Sequence, residues 1–400
     1  MILLPETEAE AAAMIRDAAA KNTRLALGGN GTRAGFGNAF LADAILRSTQ
    51  LSGIVDYDPA EMVMSAQAGT PLAAIEAALA QNRQMLAFEP MDHRPVMGTQ
   101  GEPTIGGVFA ANVAGPRRFV SGAARDSLLG LRFVNGEGEV LRAGGRVMKN
   151  VTGLDLVKLL AGSHGTLGFI TEVTFRVLPV PQTAATVVLS DLEDAEAAQA
   201  MAAAMALSVE VSGSAHLPPS VKTRFLAGGL PGYAATALRI EGPAEAVSLR
   251  AERLVAALED YGPVTRLGAQ ETATLWREIR DVHPYADSTT RPLWRVSVAP
   301  SAGHQLVAAL RLEAGIDTFY DWQGGLVWMR MEAEPEGELL RRAIRATGGG
   351  HATLLRASAQ ARATTSAFEP EAPALAALSA RVKAMLDPAN IFSPGKMGGF

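Results

Sequence analysis

Three glycine-rich segments fall within the first 168 residues: Gly28-Gly29-Asn30-Gly31-Thr32, the run from Gly98 to Gly115, and Gly162 to Gly168. Glycine reaches φ > 0 and lets backbone N–H groups converge on an anion with no Cβ in the way. A tight turn accounts for any one of these segments. Three of them in one unit predict a phosphate or pyrophosphate site, and so a bound dinucleotide. Two familiar phosphate motifs can be tested. A Walker loop needs Gly-Lys-Ser/Thr, but Gly395-Lys396 is followed by Met397. Gly29-Asn30-Gly31-Thr32-Arg33-Ala34 matches G-x-G-x-x-A, a pattern that should open a helix. Gly35-Phe36-Gly37-Asn38 is a poor helix start, so a Rossmann site is disfavoured and another fold is expected to hold the phosphates.

The chain has no Cys, which excludes disulfides, thiolate nucleophiles, Cys-ligated zinc and thiolate-held iron–sulfur clusters. A formal net charge of −5 argues against nucleic acid as the partner. The N-terminus is acidic where a secretory signal would be basic. Ala197–Val209 is too short to span a bilayer, so no transmembrane segment is expected. These features predict a cytoplasmic chain, peripheral at a membrane only through a partner.

Thr7 and Glu10 form a capping box for a helix running to about Lys21, and Thr23–Leu27 reads as a strand. Pro71–Gln81 and Asp155–Ala161 read as helices. Leu128–Val134 and Glu139–Arg142 flank a hairpin turn, and Phe169–Val177 alternates as a strand. Pro179-Val180-Pro181 marks a boundary. Beyond it, strand Thr186–Leu189, helix Glu193–Leu207, strand Val209–Ser212, strand Ala235–Ile240, helix Ala244–Tyr261 and strand Val264–Leu267 give the β-α-β-β-α-β order of a ferredoxin-like unit. Helices at Glu271–Val282, Gly303–Ala314 and Glu336–Ala346, with strands at Trp294–Val298 and Leu326–Met331, continue an α+β cap. No short sequence repeat is evident.

At this level of detail the chain resembles the FAD-binding oxidoreductases of the vanillyl-alcohol oxidase and p-cresol methylhydroxylase (PCMH) type. Gly28–Thr32 is similar to their pyrophosphate loop, and Thr104-Ile105-Gly106-Gly107 with Asn112 and Gly115 to their second cofactor segment. Gly122 with Arg125-Asp126, Lys149-Asn150, Gly153-Leu154-Asp155 and Lys158-Leu159-Leu160 resemble further family steps. So do Gly162–Gly168 with Ile170-Thr171-Glu172, and Asp387–Lys396 at the end of the chain. Ser393 stands where the family's terminal Asn-Pro-Gly-Lys has Asn. Within the family, Leu275–Glu278, Pro292–Ser297 and Gly349–Arg356 resemble cap segments of the FAD-binding E subunits of bacterial glycolate oxidases.

The resemblance implies an α+β fold with a two-part PCMH-type FAD-binding domain and a ferredoxin-like α+β cap. The expected units are 1–179 (FAD domain), 180–347 (cap and substrate domain) and 348–400 (a segment returning to the FAD domain). It implies FAD contacts from Gly28, Gly29, Asn30, Gly31, Thr32, Thr104, Gly106, Gly107, Asn112, Gly115, Gly162, Thr166, Gly168, Ile170 and Lys396. Covalent-flavin members carry a His in the first loop, where this chain has Gly31-Thr32, so non-covalent FAD is expected. Related D-2-hydroxy acid dehydrogenases carry a metal-binding His-x6-His pair. The six His residues here lack that spacing, so no metal site is expected. The implied partners are a second flavin subunit of the D type and an iron–sulfur subunit of the F type.

The implied reaction oxidises a small 2-hydroxy acid, with glycolate giving glyoxylate and D-lactate as a further substrate. Hydride goes to flavin and electrons pass to the iron–sulfur partner. A small carboxylate needs a cation, which Arg supplies bidentately, and the hydroxyl proton needs a base, most often His. Arg277, Arg295 and Arg356 are the candidate carboxylate ligands, and His351, after three glycines, is the candidate base. Two alternatives stay open: a self-sufficient FAD-dependent D-2-hydroxy acid dehydrogenase, and a flavin-binding assembly subunit that turns over nothing.

Overall fold

The computed structural model describes residues 1–146 and 154–398. Lys149-Asn150 and Gly153 of the family motifs lie outside the described residues. Thr7 caps the first helix, Glu8–Ala20, and its hydroxyl accepts the Glu10 N–H at 3.2 Å. The Glu10 carboxylate accepts from the Glu6 N–H, one residue earlier than a capping box requires. Ala11, Ala12, Ile15 and Ala18 pack this helix on a parallel sheet of β1 (Ile2–Leu3), β2 (Leu25–Gly28) and β3 (Ala44–Arg47), ordered β1-β3-β2. The C-terminal segment lies along β2, where the Leu25 N–H donates to the Ile391 carbonyl at 2.7 Å.

A second, antiparallel sheet contains β4 (Ile54–Asp58), β5 (Val63–Gln67), β6 (Leu128–Val134), β7 (Val140–Gly144) and β8 (Phe169–Arg176), ordered β4-β5-β8-β6-β7. The β6–β7 hairpin forms as its turn residues predict, with Asn135 Oδ1 accepting the N–H groups of Glu137 and Glu139. No helix follows Gly29–Ala34, in keeping with the argument against a Rossmann loop.

The third sheet has eight strands: β9 (Thr183–Ser190), β10 (Val211–Leu217), β11 (Ala235–Gly242), β12 (Val264–Leu267), β13 (Leu293–Ser297), β14 (Ile316–Asp321), β15 (Leu326–Met331) and β16 (His351–Arg356). Their order is β12-β9-β11-β10-β14-β15-β13-β16. The first four strands with helices Asp194–Ala206 and Ala244–Leu258 are the expected ferredoxin-like unit. The last four, with helices Gly303–Arg311 and Gly337–Ala346, repeat the β-α-β-β-α-β order in mirrored position along the sheet. The two units join edge to edge at the His216–Tyr320 pair of β10 and β14. This repeat has no counterpart in sequence similarity. It was obscured because Asp317 and Asp321 interrupt the apolar pattern of β14, and because β16 begins at an exposed His.

Alternation along these strands sorts side chains between two layers. Val187, Leu189, Leu238 and Ile240 meet the helices of the first unit, and Trp294 and Val296 meet those of the second. The opposite face supplies Val188, Ala215, Leu217, Phe319 and Trp328 to a core shared with Phe88, Phe109 and Phe175 of the N-terminal half. Arg295, between Trp294 and Val296, therefore projects toward the N-terminal half. Trp328-Met329-Arg330-Met331 supplies core residues, as its apolar pattern suggests.

Candidate active site

A cavity opens where the ends of β2, β3 and β8 meet the short helix Ile105–Ala110. Gly28, Gly29, Asn30, Gly31 and Thr32 line it from the first glycine segment, and Thr104, Gly106 and Gly107 from the second. Gly165, Gly168 and Ile170 line it from the third segment, and Lys396 from the C-terminal segment. Two glycines are required by close packing. A Cβ on Gly29 would stand 2.2 Å from Thr104 Oγ1, and one on Gly106 would stand 2.8 Å from the Ala68 carbonyl oxygen. Gly31 is required by its backbone, at φ +79, and it faces open space.

Four expected contacts fall outside this lining: Asn112, Gly115, Gly162 and Thr166. Each holds a loop instead. Asn112 Oδ1 accepts the Arg125 N–H at 2.9 Å, and the Gly115 carbonyl accepts Trp322 Nε1–H at 3.0 Å. Gly162 sits against Asn112, and Thr166 Oγ1 donates to the Ser163 carbonyl at 2.7 Å. The third loop turns at Gly165, φ +75, which presents His164 and Gly165 to the cavity.

The cavity wall carries cations that form no ion pair with a described residue. Arg33 Nε is buried without a hydrogen-bond partner, and burial lowers the guanidinium pKa to about 10. Lys396 is lowered to about 8, first by burial and then by Arg33. Its Nζ donates to the His164 carbonyl at 3.1 Å. His164 falls to about 3 through burial, Lys396 and Arg33, and its neutral ring packs on Phe36 and Phe368. Desolvated like charges are unfavourable unless an anion joins them. An orphaned guanidinium N–H beside a glycine loop with open backbone fits the pyrophosphate of a dinucleotide such as FAD.

The cap adds a second cationic group. Arg295 and Arg118 both stack on the Trp322 ring, with guanidinium carbons 4.9 and 4.8 Å from its centroid. Neither guanidinium makes a hydrogen bond or ion pair with a described residue. Burial, then Arg118, lowers Arg295 to about 10. Trp322 and Gln323 both have positive φ, at 51 and 63. That conformation is costly for residues bearing a Cβ. It is held by the Asp321 carboxyl, which accepts the Trp322 N–H at 2.7 Å, and by the indole bond to Gly115. Asp321 is fully buried, and burial raises it to about 7.

The other catalytic candidates separate. His351 is not a loop residue: it opens β16 opposite Ser297, exposed, and partial burial followed by Arg295 lowers its pKa. Arg356 is buried, and its donors are taken by the carbonyls of Arg291, Val96 and Tyr285 and by Asp287. It stitches β16 to neighbouring loops, with Nε and Nη1 bonded to carbonyls and Nη2 3.5 Å from Thr289 Oγ1, and is not in the cavity lining. Arg277 lies exposed on helix Ala269–Arg280, away from the cavity lining, and its neighbour Arg280 pairs with Asp281.

Sequence reasoning missed Arg33, His93, Arg118, Asp321 and Trp322 as site residues. The Arg117-Arg118 pair after Gly115-Pro116, and His93 between two glycine segments, were the available signals. Trp322 had none, because its role depends on the turn after β14.

A glycine-built cavity whose cations form no ion pair, in an N-terminal half packed on an α+β cap, fits a dinucleotide-binding protein. Residues 1–144 match the FAD binding domain family. The chain is 35% identical over 352 residues to glycolate oxidase subunit GlcE of Escherichia coli (strain K12), covering 86% of this chain and 84% of that one. It is 30% identical over 321 residues to glycolate oxidase subunit GlcD of Bacillus subtilis (strain 168), covering 74% and 68%. The structure of p-cresol methylhydroxylase with substrate bound superposes with a TM-score of 0.71 at 15% identity, over 99% of this chain and 88% of that one, which shows the PCMH-type fold. The chain belongs to the FAD-binding oxidoreductase family that includes the glycolate oxidase subunits, and FAD is its cofactor.

Proposed function

We propose that this chain is the FAD-binding subunit of a glycolate oxidase assembly and itself dehydrogenates a small 2-hydroxy acid, glycolate above all. The observation that carries this reading is the pair of guanidiniums without an ion pair, Arg118 and Arg295, stacked on the Trp322 ring that is bonded to Gly115 at the end of the second glycine segment. Two guanidiniums with no direct ion pair among the described residues suit a carboxylate, which Arg grips through parallel N–H bonds. Similarity to GlcE over most of both chains supports the same substrate class.

Gly28–Thr32, Thr104, Gly106, Gly107 and Gly168 would hold FAD, with Arg33 and Lys396 meeting its negative charge, and Gly31-Thr32 implies no covalent link. FAD, when bound, supplies a two-electron hydride acceptor. The chain's own part is to anchor the carboxylate, keep the α-carbon in place and take the hydroxyl proton. With no Cys, the chain carries no thiolate-held cluster for onward electron transfer. Electrons would pass to an iron–sulfur partner, beside a second flavin subunit of the D type. Among the described residues no helix is long and apolar enough to cross a membrane. Any membrane association would come through those partners.

The test is anaerobic addition of glycolate, then D-lactate, to the full chain loaded with FAD. Bleaching of the oxidised flavin band by glycolate is expected. A band that stays oxidised with both acids would assign the chemistry to another subunit and overturn the reading.

A further inference from the structure

We propose that His93 is the general base of this site, its Nε2 accepting the hydroxyl proton of a 2-hydroxy acid whose carboxylate lies on Arg295 and Arg118. This rests on the dehydrogenase reading above and adds the residue that moves the proton.

The ring's tautomer follows from one contact. His93 Nδ1 lies 3.1 Å from the Met91 carbonyl oxygen, which can only accept, so Nδ1 carries the hydrogen. The lone pair is then on Nε2. That atom has no hydrogen-bond partner among the described residues, and His93 is only partly buried. His93 follows Asp92, whose carboxylate is occupied by Arg94 at 2.8 Å, so the nearest acid does not pair with the ring.

Three charged or titratable groups act on the ring from other elements: Arg33 and His164 in the cavity wall, and Arg295 from the cap. Burial first, then Arg33 and Arg295, holds the ring well below the ordinary imidazole range and therefore neutral. The backbone places His93 between the two sides of the site: it precedes the short helix Arg94–Met97, whose Val96 carbonyl accepts from Arg356 of β16, the strand paired with the β13 of Arg295, and just beyond that helix the Thr99 hydroxyl donates to the Thr32 carbonyl of the first glycine loop at 2.7 Å. His351 lacks this placement: it is exposed, at the start of β16 opposite Ser297.

The same cations explain how a suppressed base could act. A carboxylate on Arg295 and Arg118 cancels part of the positive field, which raises the basicity of His93 only when substrate is present. The O–H bond then breaks with its proton going to Nε2. The electron pair left on oxygen forms the C=O bond, and the α-hydrogen departs with its own pair to the bound cofactor as hydride. Glycolate thereby becomes glyoxylate, with one proton on His93 and two electrons on the flavin.

The test combines a variant with a titration of the FAD-loaded full chain. His93→Gln is expected to keep its flavin band and to slow anaerobic reduction by glycolate about 100-fold or more. In the wild type, the His93 imidazole NMR resonance is expected to titrate below pH 6.5, the ordinary imidazole value. Addition of oxalate, a two-carbon carboxylate that cannot be dehydrogenated, should move that titration upward. Wild-type reduction with an equally fast His93→Gln variant would overturn the proposal and leave the dehydrogenase reading intact. Absence of reduction in the wild type would overturn the reading and the proposal with it. If the variant does not fold, a His93 resonance unmoved by oxalate would overturn the proposal.

Discussion

The two sides of the site are built by different means. The cofactor side is made largely of backbone: Gly28–Thr32, Gly106 and Gly168 are nearly adjacent to their own secondary structure, and Gly29, Gly106 and Gly168 act through the absence of a side chain. The cap side is made of side chains from distant segments: His93, Arg118, Arg295 and Trp322 meet only because an eight-stranded sheet packs over the N-terminal half. Damage to the first side should cost folding and flavin together. Damage to the second should cost substrate handling alone.

The sharpest break on the cofactor side is Gly106→Val. Its side chain would overlap the Ala68 backbone, and a loss of about 3 kcal/mol or more is expected, with no flavin retained, read by thermal melting and absorbance. Next is Asp321, which underlies the cap side. Its folded pKa is raised from 3.8 to about 7, so the folded state holds a proton between about pH 4 and 7 that the unfolded state does not. Its contribution is therefore present below pH 4 and lost as pH rises to 7. Asp321→Asn should flatten that slope by about 3 kcal/mol in denaturant titrations at pH 4.5 and 7.5.

Arg295→Ala should weaken glycolate binding roughly 10- to 100-fold with flavin content and melting temperature unchanged. Arg356→Ala should do the reverse, because it strands three buried carbonyls and Asp287. Equal effects of the two variants on melting would erase the distinction between anchor and stitch.

A smaller effect sets the cofactor side apart by pH. Lys396 in the free protein loses its charge near pH 8, and a bound pyrophosphate would restore it. FAD affinity should therefore fall as pH rises from 7 to 9.5, by up to about tenfold per unit above 8, and Lys396→Met should remove that dependence. Arg277→Ala, on an exposed helix face, should change neither flavin content nor glycolate reduction.

The cofactor side was legible because its signals are local. A strand running into Gly28-Gly29, a helix capped by Thr7 and a hairpin at Asn135-Gly136 each depend on residues a few positions apart. The cap side was legible only as composition. Arg277, Arg295 and Arg356 are one residue type in similar settings, yet one faces water, one faces the site and one is bonded to carbonyls. Nothing near them in sequence separates these fates. The second β-α-β-β-α-β unit was hidden for a related reason: strand pairing rewards register and burial, which dissimilar side chains can meet equally well.

By itself the sequence determined the glycine loops, the helix caps, the alternating strands and the absence of thiolate chemistry, since these follow from backbone freedom and from residue types. The tertiary structure alone decided which cations form no ion pair and which His keeps a free nitrogen. Charge and basicity in a protein are set by what surrounds a group, and the neighbours of His93, Arg118 and Arg295 come from segments far apart in the chain.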